Sequence, residues 1–213
     1  KKLLLSIFAL TTIISEAQVT TVFSENVGSP TGTTVYASYT GWQNNGTLTF
    51  TGTGDVRSTS PSTNAYTGAS GAGNVFLTTN AASKTLIISN INTIGYTALN
   101  LAFGLMKNTT ASNGSELTVE VSSDGVTYTT LSFPALPTGS GTANWKWVKA
   151  TGTIPAVANL RIRFTNTATT GPQFRLDDIK LTDGLSADSI TTTPSNYGAP
   201  FCAGTAIKVP FSI

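Results

Sequence analysis

The sequence predicts an all-β protein, a two-sheet antiparallel β-sandwich, and three observations carry that expectation. Apolar residues alternate with polar ones in roughly ten short runs, the period of a strand with one buried face. Thr and Ser supply more than a quarter of the 213 residues, with Gly and Asn frequent and charged residues only 10%. Thr favours strands, and Gly, Asn and Ser favour turns. No stretch carries a convincing helical pattern, and a hydrophobic content of 39% is ample for a core.

The elements follow in order. Lys1 and Lys2 precede an apolar run over 3–14, and Ser15-Glu16-Ala17 places small residues at −3 and −1 of a cut before Gln18. The run is short for a bilayer span and right for a secretory leader. Residues 19–24 make a first strand, and Leu48 and Phe50 alternate through 47–51. The segment 51–74 is long and rich in small residues, and Arg57 and Tyr66 within it favour an ordered, packed or functional loop over a linker. Strands are expected over 74–79, 84–89 and 97–104. The run 116–122 turns Leu117, Val119 and Val121 one way and Glu116, Thr118 and Glu120 the other, and "SSDG" joins it as a hairpin to 126–133. Strands over 145–149, 159–165 and 173–182 complete the set. Trp145 and Trp147 share one face, and at least one of them belongs to the core.

Residues 18–184 therefore form the expected sandwich, residues 185–200 read as a Thr- and Pro-bearing linker, and alternation through Ile207, Val209, Phe211 and Ile213 reads as the start of a second β-sandwich in a longer protein. The single cysteine, Cys202, excludes a disulfide framework within this sequence and could pair with a cysteine further along. Without Lys1, Lys2 and Glu16, 10 basic and 9 acidic residues remain, a net +1. That is too little for nucleic-acid binding by counterion release. No second apolar span follows the leader, so membrane insertion of the mature chain is not expected.

Histidine is absent, which removes the commonest general base and metal ligand together with any Ser-His-Asp or Cys-His arrangement. "GASGAG" (68–73) lacks the Lys-Ser/Thr and following helix of a phosphate loop. Glu116 and Glu120 stand about 13 Å apart on one strand face, wider than a glycosidase pair, and read as solvated. Asp177 and Asp178 differ. Phe174 and Leu176 share one parity, Ile179 and Leu181 the other, so the apolar face changes sides across the acids, as at a β-bulge. Two readings stand open: a hard cation such as Ca²⁺, with Glu25 as a further carboxylate if the first and last strands are neighbours, or ion pairs with Arg161, Arg163 or Arg175. Trp42, in "YTGWQNNG", either stacks on a sugar with Asn44 and Tyr66 nearby, or plugs the sandwich end.

The segments "VFSENVG", "VRSTSPST", "YTGASGAGNVFL", "INTIGYTALNLAFG", "ELTVEVSSDGVTYTTL", "LRIRF" and "FRLDDIKL" resemble, over about residues 19–183, the N-terminal jelly-roll module of large secreted Bacteroidetes proteins exported by the type IX system. That module is similar to galactose-binding-like and carbohydrate-binding jelly rolls. The resemblance implies a structural Ca²⁺ held by Glu25 and Asp178, with Asp177 as a further ligand. It also implies a secreted or outer-surface location and downstream domains, and "DSI" fits an O-glycosylation pattern placing a glycan on Ser189.

Three functions are compatible with these readings. The first is a non-catalytic binding or adhesion module for a polysaccharide or cell-surface glycan, through Trp42, Tyr66 and Asn44. The second is a structural spacer, and the third an accessory domain of a hydrolase whose catalytic domain lies beyond residue 213.

Overall fold

The computed structural model describes residues 19–79 and 84–184; the expected leader, linker and second-domain start, with Ser189 and Cys202, lie outside them. The described residues form two antiparallel sheets packed face to face, as the alternating pattern predicts. One sheet has the order β10 (Trp145–Lys149), β7 (Leu99–Lys107), β12 (Phe174–Asp183), β5 (Asn74–Leu77), β4 (Asp55–Arg57), β2 (Thr34–Val35), with β1 (Thr20–Glu25) also paired to β12. The other runs β3 (Thr49–Gly52), β6 (Lys84–Ile91), β11 (Leu160–Asn166), β8 (Leu117–Ser122), β9 (Thr129–Leu131). Two strands escaped the sequence pattern, β2 and β4. At two and three residues they are too short to show a period. One short 3₁₀ turn, Tyr36–Ser38, is the only helical segment among the described residues, and no helix there is long and apolar enough to cross a membrane.

The core lies between the sheets. Leu101, Phe103 and Leu105 of β7 and Phe174, Leu176, Ile179 and Leu181 of β12 have no exposed surface, and they meet Leu86, Ile88, Val119, Ile162 and Phe164 of the facing sheet. Phe103 packs edge-on against Phe164 with centroids 5.1 Å apart, joining the two layers at a geometry that aromatic quadrupoles favour. Each such side chain contributes about 1.5–3 kcal/mol by leaving water. Lys107 continues the inward parity of β7 and is buried, but its ammonium donates to the carbonyls of Ser112 and Pro137 and to the Thr142 hydroxyl. Those bonds offset much of the cost of burying the charge.

β12 organises the larger sheet. Along one edge it pairs with β7 throughout. Along the other it pairs first with β5, through Phe174 to Leu176, and then with β1, through Ile179 to Asp183. Asp177 and Asp178 occupy the gap between those two partners. There the register against β7 jumps from Asp177 opposite Gly104 to Lys180 opposite Ala102. This is the bulge that the parity change predicts, and Asp178 enters it with φ 49°, a conformation Asp tolerates better than most side chains. Without the extra residue, Leu176 and Ile179 could not both face the core.

Candidate functional site

The bulge carries its two carboxylates onto the outer face of the larger sheet, and the loop between β4 and β5 closes over them. Asp177 is wholly buried. Its carboxylate accepts from the Ser62 hydroxyl at 2.7 Å, from the Ser70 hydroxyl at 3.3 Å and from the Asp178 N–H at 2.8 Å. Asp178 accepts from the Tyr66 hydroxyl at 2.6 Å and the Ser70 N–H at 3.0 Å. Burial lifts the Asp177 carboxyl to about 7, the charge on Asp178 adding to the rise and the Ser62 hydrogen bond opposing it. Burial, then the bond to Asp178, raises the Tyr66 phenol far above its ordinary value. The acid pair thus anchors a loop more than a hundred residues away in sequence. The arginine alternative is not realised. Arg163 pairs with Glu120 at 2.8 Å on the other sheet, where Arg161 also lies. Arg175 donates to Asn74 and to the Thr59 carbonyl and lies over Phe76.

Glu25 ends β1 opposite Ile179, so the first and last strands are neighbours as expected, yet its carboxylate is buried under a different loop. It accepts from the N–H groups of Val27, at 2.9 Å, Gln43, at 2.9 Å, and Asn44, at 3.0 Å, and from the Asn44 side chain at 2.9 Å. A calcium ion shared by Glu25 and Asp178, with Asp177 in support, does not fit this donor set. Ca²⁺ requires six to eight oxygen ligands, whereas here N–H and O–H donors point at the carboxylate lone pairs. No group of three or more His, Cys, Asp or Glu side chains among the described residues is placed to hold a metal.

Two of the three expected ligand contacts are corrected likewise. Trp42 is 5% exposed. It stacks on Phe50 with centroids 4.1 Å apart and planes 5° from parallel, meets Tyr39 edge-on, and so closes one end of the core. Asn44 is held by Glu25 and by the Ser24 carbonyl at 2.7 Å, which occupies the amide that would meet a sugar hydroxyl.

Tyr66 packs beside a ring from elsewhere in the chain. Trp147 is 39% exposed and its ring lies 5.4 Å from that of Tyr66, tilted by 38°. The two rings meet because Trp147 stands opposite Gly104 in the β10–β7 pair. A Cβ on Gly104 would lie 2.0 Å from the Tyr66 hydroxyl, so glycine's missing side chain is the seat of the tyrosine. Trp145, of the same parity, is covered by the loop and donates to the Ser60 carbonyl at 3.1 Å. Beside Trp147 an open groove of about 200 Å³ runs over β7 and β12, lined by Asn100, Ala102, Lys149, Lys180 and Thr182. A wider depression of about 590 Å³ crosses the smaller sheet. Its lining is mostly threonine, its charged pair, Arg163 and Glu120, is closed on itself, and it holds no exposed aromatic ring.

No family model and no curated protein matches the chain. Among solved structures, a family 61 carbohydrate-binding module in complex with β-1,4-galactotriose is 17% identical, with 65% of this chain and 89% of that one covered and a TM-score of 0.42. A xylan-binding domain from Paenibacillus barcinonensis is 14% identical over 80% of this chain and 97% of that one, TM-score 0.42. A carbohydrate-binding module of a Cellvibrio mixtus lichenase, in complex with cellotriose, is 11% identical over 76% and 98%, TM-score 0.38. At these scores the likeness says nothing about a ligand of this chain.

Proposed function

We propose that this chain is a non-catalytic glycan-binding module. The observation that carries the reading is the half-exposed Trp147, braced by Tyr66 at the rim of an open groove whose other walls offer an amide, a hydroxyl and ammonium groups. A sugar ring presents C–H groups on its faces and hydroxyls at its edges. A rigid aromatic face meets the first at little entropic cost, and Asn100, Thr182 and Lys180 are suited to the second. The leader-like pattern of residues 1–17 supports export to the cell exterior or outer surface, and the 185–200 stretch supports attachment to further domains.

Affinity electrophoresis against a panel of polysaccharides tests the reading. Trp147→Ala is expected to abolish retardation on the retained polymer while leaving the melting temperature within a few degrees of the parent. Equal retardation of parent and variant would sink it. Burial of Trp42 favours a second reading, a structural spacer, because it removes one of the aromatic groups first available to a ligand; the spacer predicts that no polymer on the panel is retained.

A further inference from the structure

We infer that the Trp147 groove takes an anionic polysaccharide, one bearing carboxylate or sulfate groups on its rings; the inference rests on the glycan-binding reading of that groove. Of the five lysines among the described residues, two line this groove, and a third, Lys146, adjoins Trp147 in the chain on the opposite face of β10. Lys180 and Lys149 line the groove on the sheet side of Trp147. Lys146 and Lys149 line a second depression on its other side, beyond the β10 edge, walled by Pro134 to Pro137. No Asp or Glu lines either one among the described residues. Lys146 and Lys180 form no ion pair with a described residue. The nearby acids are hydrogen-bonded elsewhere: Asp177 to Ser62 and the Asp178 N–H, Asp178 to Tyr66 and Ser70, and Asp183 to the N–H groups of Thr97 and Ala98.

The placement follows from the strands. β10 is the edge of the larger sheet, and "WKWVK" puts Lys146 and Lys149 about 10 Å apart along it. Lys180 lies two strands away, opposite Ala102, just past the bulge that anchors the Tyr66 loop. Lysines on an edge strand also discourage strand addition, but that role asks nothing of Lys180 on a central strand. A neutral polymer would offer the Lys146 and Lys180 ammonium groups only hydroxyl oxygens, a weaker return for their desolvation than a charge-assisted pair. An anionic one pairs them beside an apolar ring, where the pairing is screened less than in open water. Single-stranded nucleic acid also combines stacking with cations, but a strand is held by successive bases stacked along several rings, and this groove presents one exposed ring.

The test uses matched pairs: polygalacturonate against its methyl ester, and a sulfated galactan against its desulfated form, each titrated at low and high salt with oligodeoxythymidylate as a third probe. The expected result is that at least one anionic polymer binds more tightly than its neutral partner, and that salt erodes the difference. Whichever pair shows the difference separates carboxylate from sulfate recognition. Lys146→Gln and Lys180→Gln should each narrow the charged-to-neutral ratio, about two- to fivefold per lysine. Equal binding of charged and neutral polymers, unmoved by either substitution, overturns this inference and leaves the glycan reading intact. Tighter binding of the oligonucleotide overturns it in favour of nucleic acid. If no polymer or oligonucleotide binds, both the inference and the reading beneath it fall.

Discussion

Among the described residues, the carboxylates of Glu25, Asp177 and Asp178 are each covered by a loop that donates to them. Glu25 holds the chain at 43–44, which carries Trp42 into the core, while Asp177 and Asp178 hold the loop that carries Tyr66. The acids are therefore internal anion sites, and chelation is predicted to leave the melting temperature unchanged. Glu25→Gln should lower it equally with EDTA and with added Ca²⁺, because Gln exchanges one acceptor oxygen for a donor against N–H groups. Asp177 adds a pH dependence. Its folded value, about 7, lies above the ordinary carboxylate value, so between the two the folded state holds a proton that the unfolded state has released. Its contribution is complete below the ordinary carboxylate range and is lost as pH rises to about 7, with a slope of at most about 1.4 kcal/mol per pH unit. Melting temperatures measured from pH 4 upward should fall through that window for the parent and flatten for Asp177→Asn; an identical slope in both would contradict the assignment. The two tryptophans separate stability from binding at the same scale. Trp42→Ala should cost about 3–5 kcal/mol, as large-to-small core substitutions do, with carbohydrate retention unchanged in the folded fraction.

At the scale of elements, the outer face of the larger sheet is divided between the 58–73 loop and the Trp147 groove, and Gly104 is the point of division. Adding a methyl there forces Tyr66 off its seat. Gly104→Ala is expected to part the two rings, shift the Trp147 fluorescence and weaken both loop protection in hydrogen exchange and polymer binding, while the core strands exchange as before. Unchanged emission and exchange would show that the tyrosine is placed by something else. This division also separates what could be read from the chain from what could not. Alternation along 84–89, 116–122 and 159–165 exposed the strands directly, and the parity change at Asp177 and Asp178 exposed the bulge. The shared parity of Trp145 and Trp147 was visible, but not that their face is the outer one. Trp145 is covered by a loop some 85 residues earlier, whereas Trp147 meets the Tyr66 ring of the same loop and stays exposed. Trp42 misled for the opposite reason. Its turn-rich surroundings are the signature of an exposed loop, and only the Glu25 anchor, with donors 18 and 19 residues on, folds that loop back onto the core.

At the scale of the whole molecule, β12 is both the last strand described and the centre of the larger sheet. It contacts β7, β5 and β1, and its inward residues Phe174, Leu176, Ile179 and Leu181 are all fully buried. Removing them from the core forfeits roughly 6–12 kcal/mol of burial, comparable to the entire stability of an ordinary domain. It would also leave the facing backbone edges of three strands without partners and release the 58–73 loop from its acid anchor. A chain ended at Gly171 is therefore expected to lack a cooperative thermal transition. A chain ended at Gly184 should keep the melting temperature of the full sequence, since the described sandwich is closed by the bond from the Gly184 N–H to the Ala98 carbonyl. Circular dichroism melts of the two truncations decide the matter: a cooperative transition without β12, or its loss with β12 intact, would mean that the sandwich is held by something other than its central strand. The same arrangement ties the proposed glycan recognition to completion of the fold. Lys180 and the anchor of Tyr66 both lie on β12, so the groove cannot assemble until the final strand has joined the strands beside it.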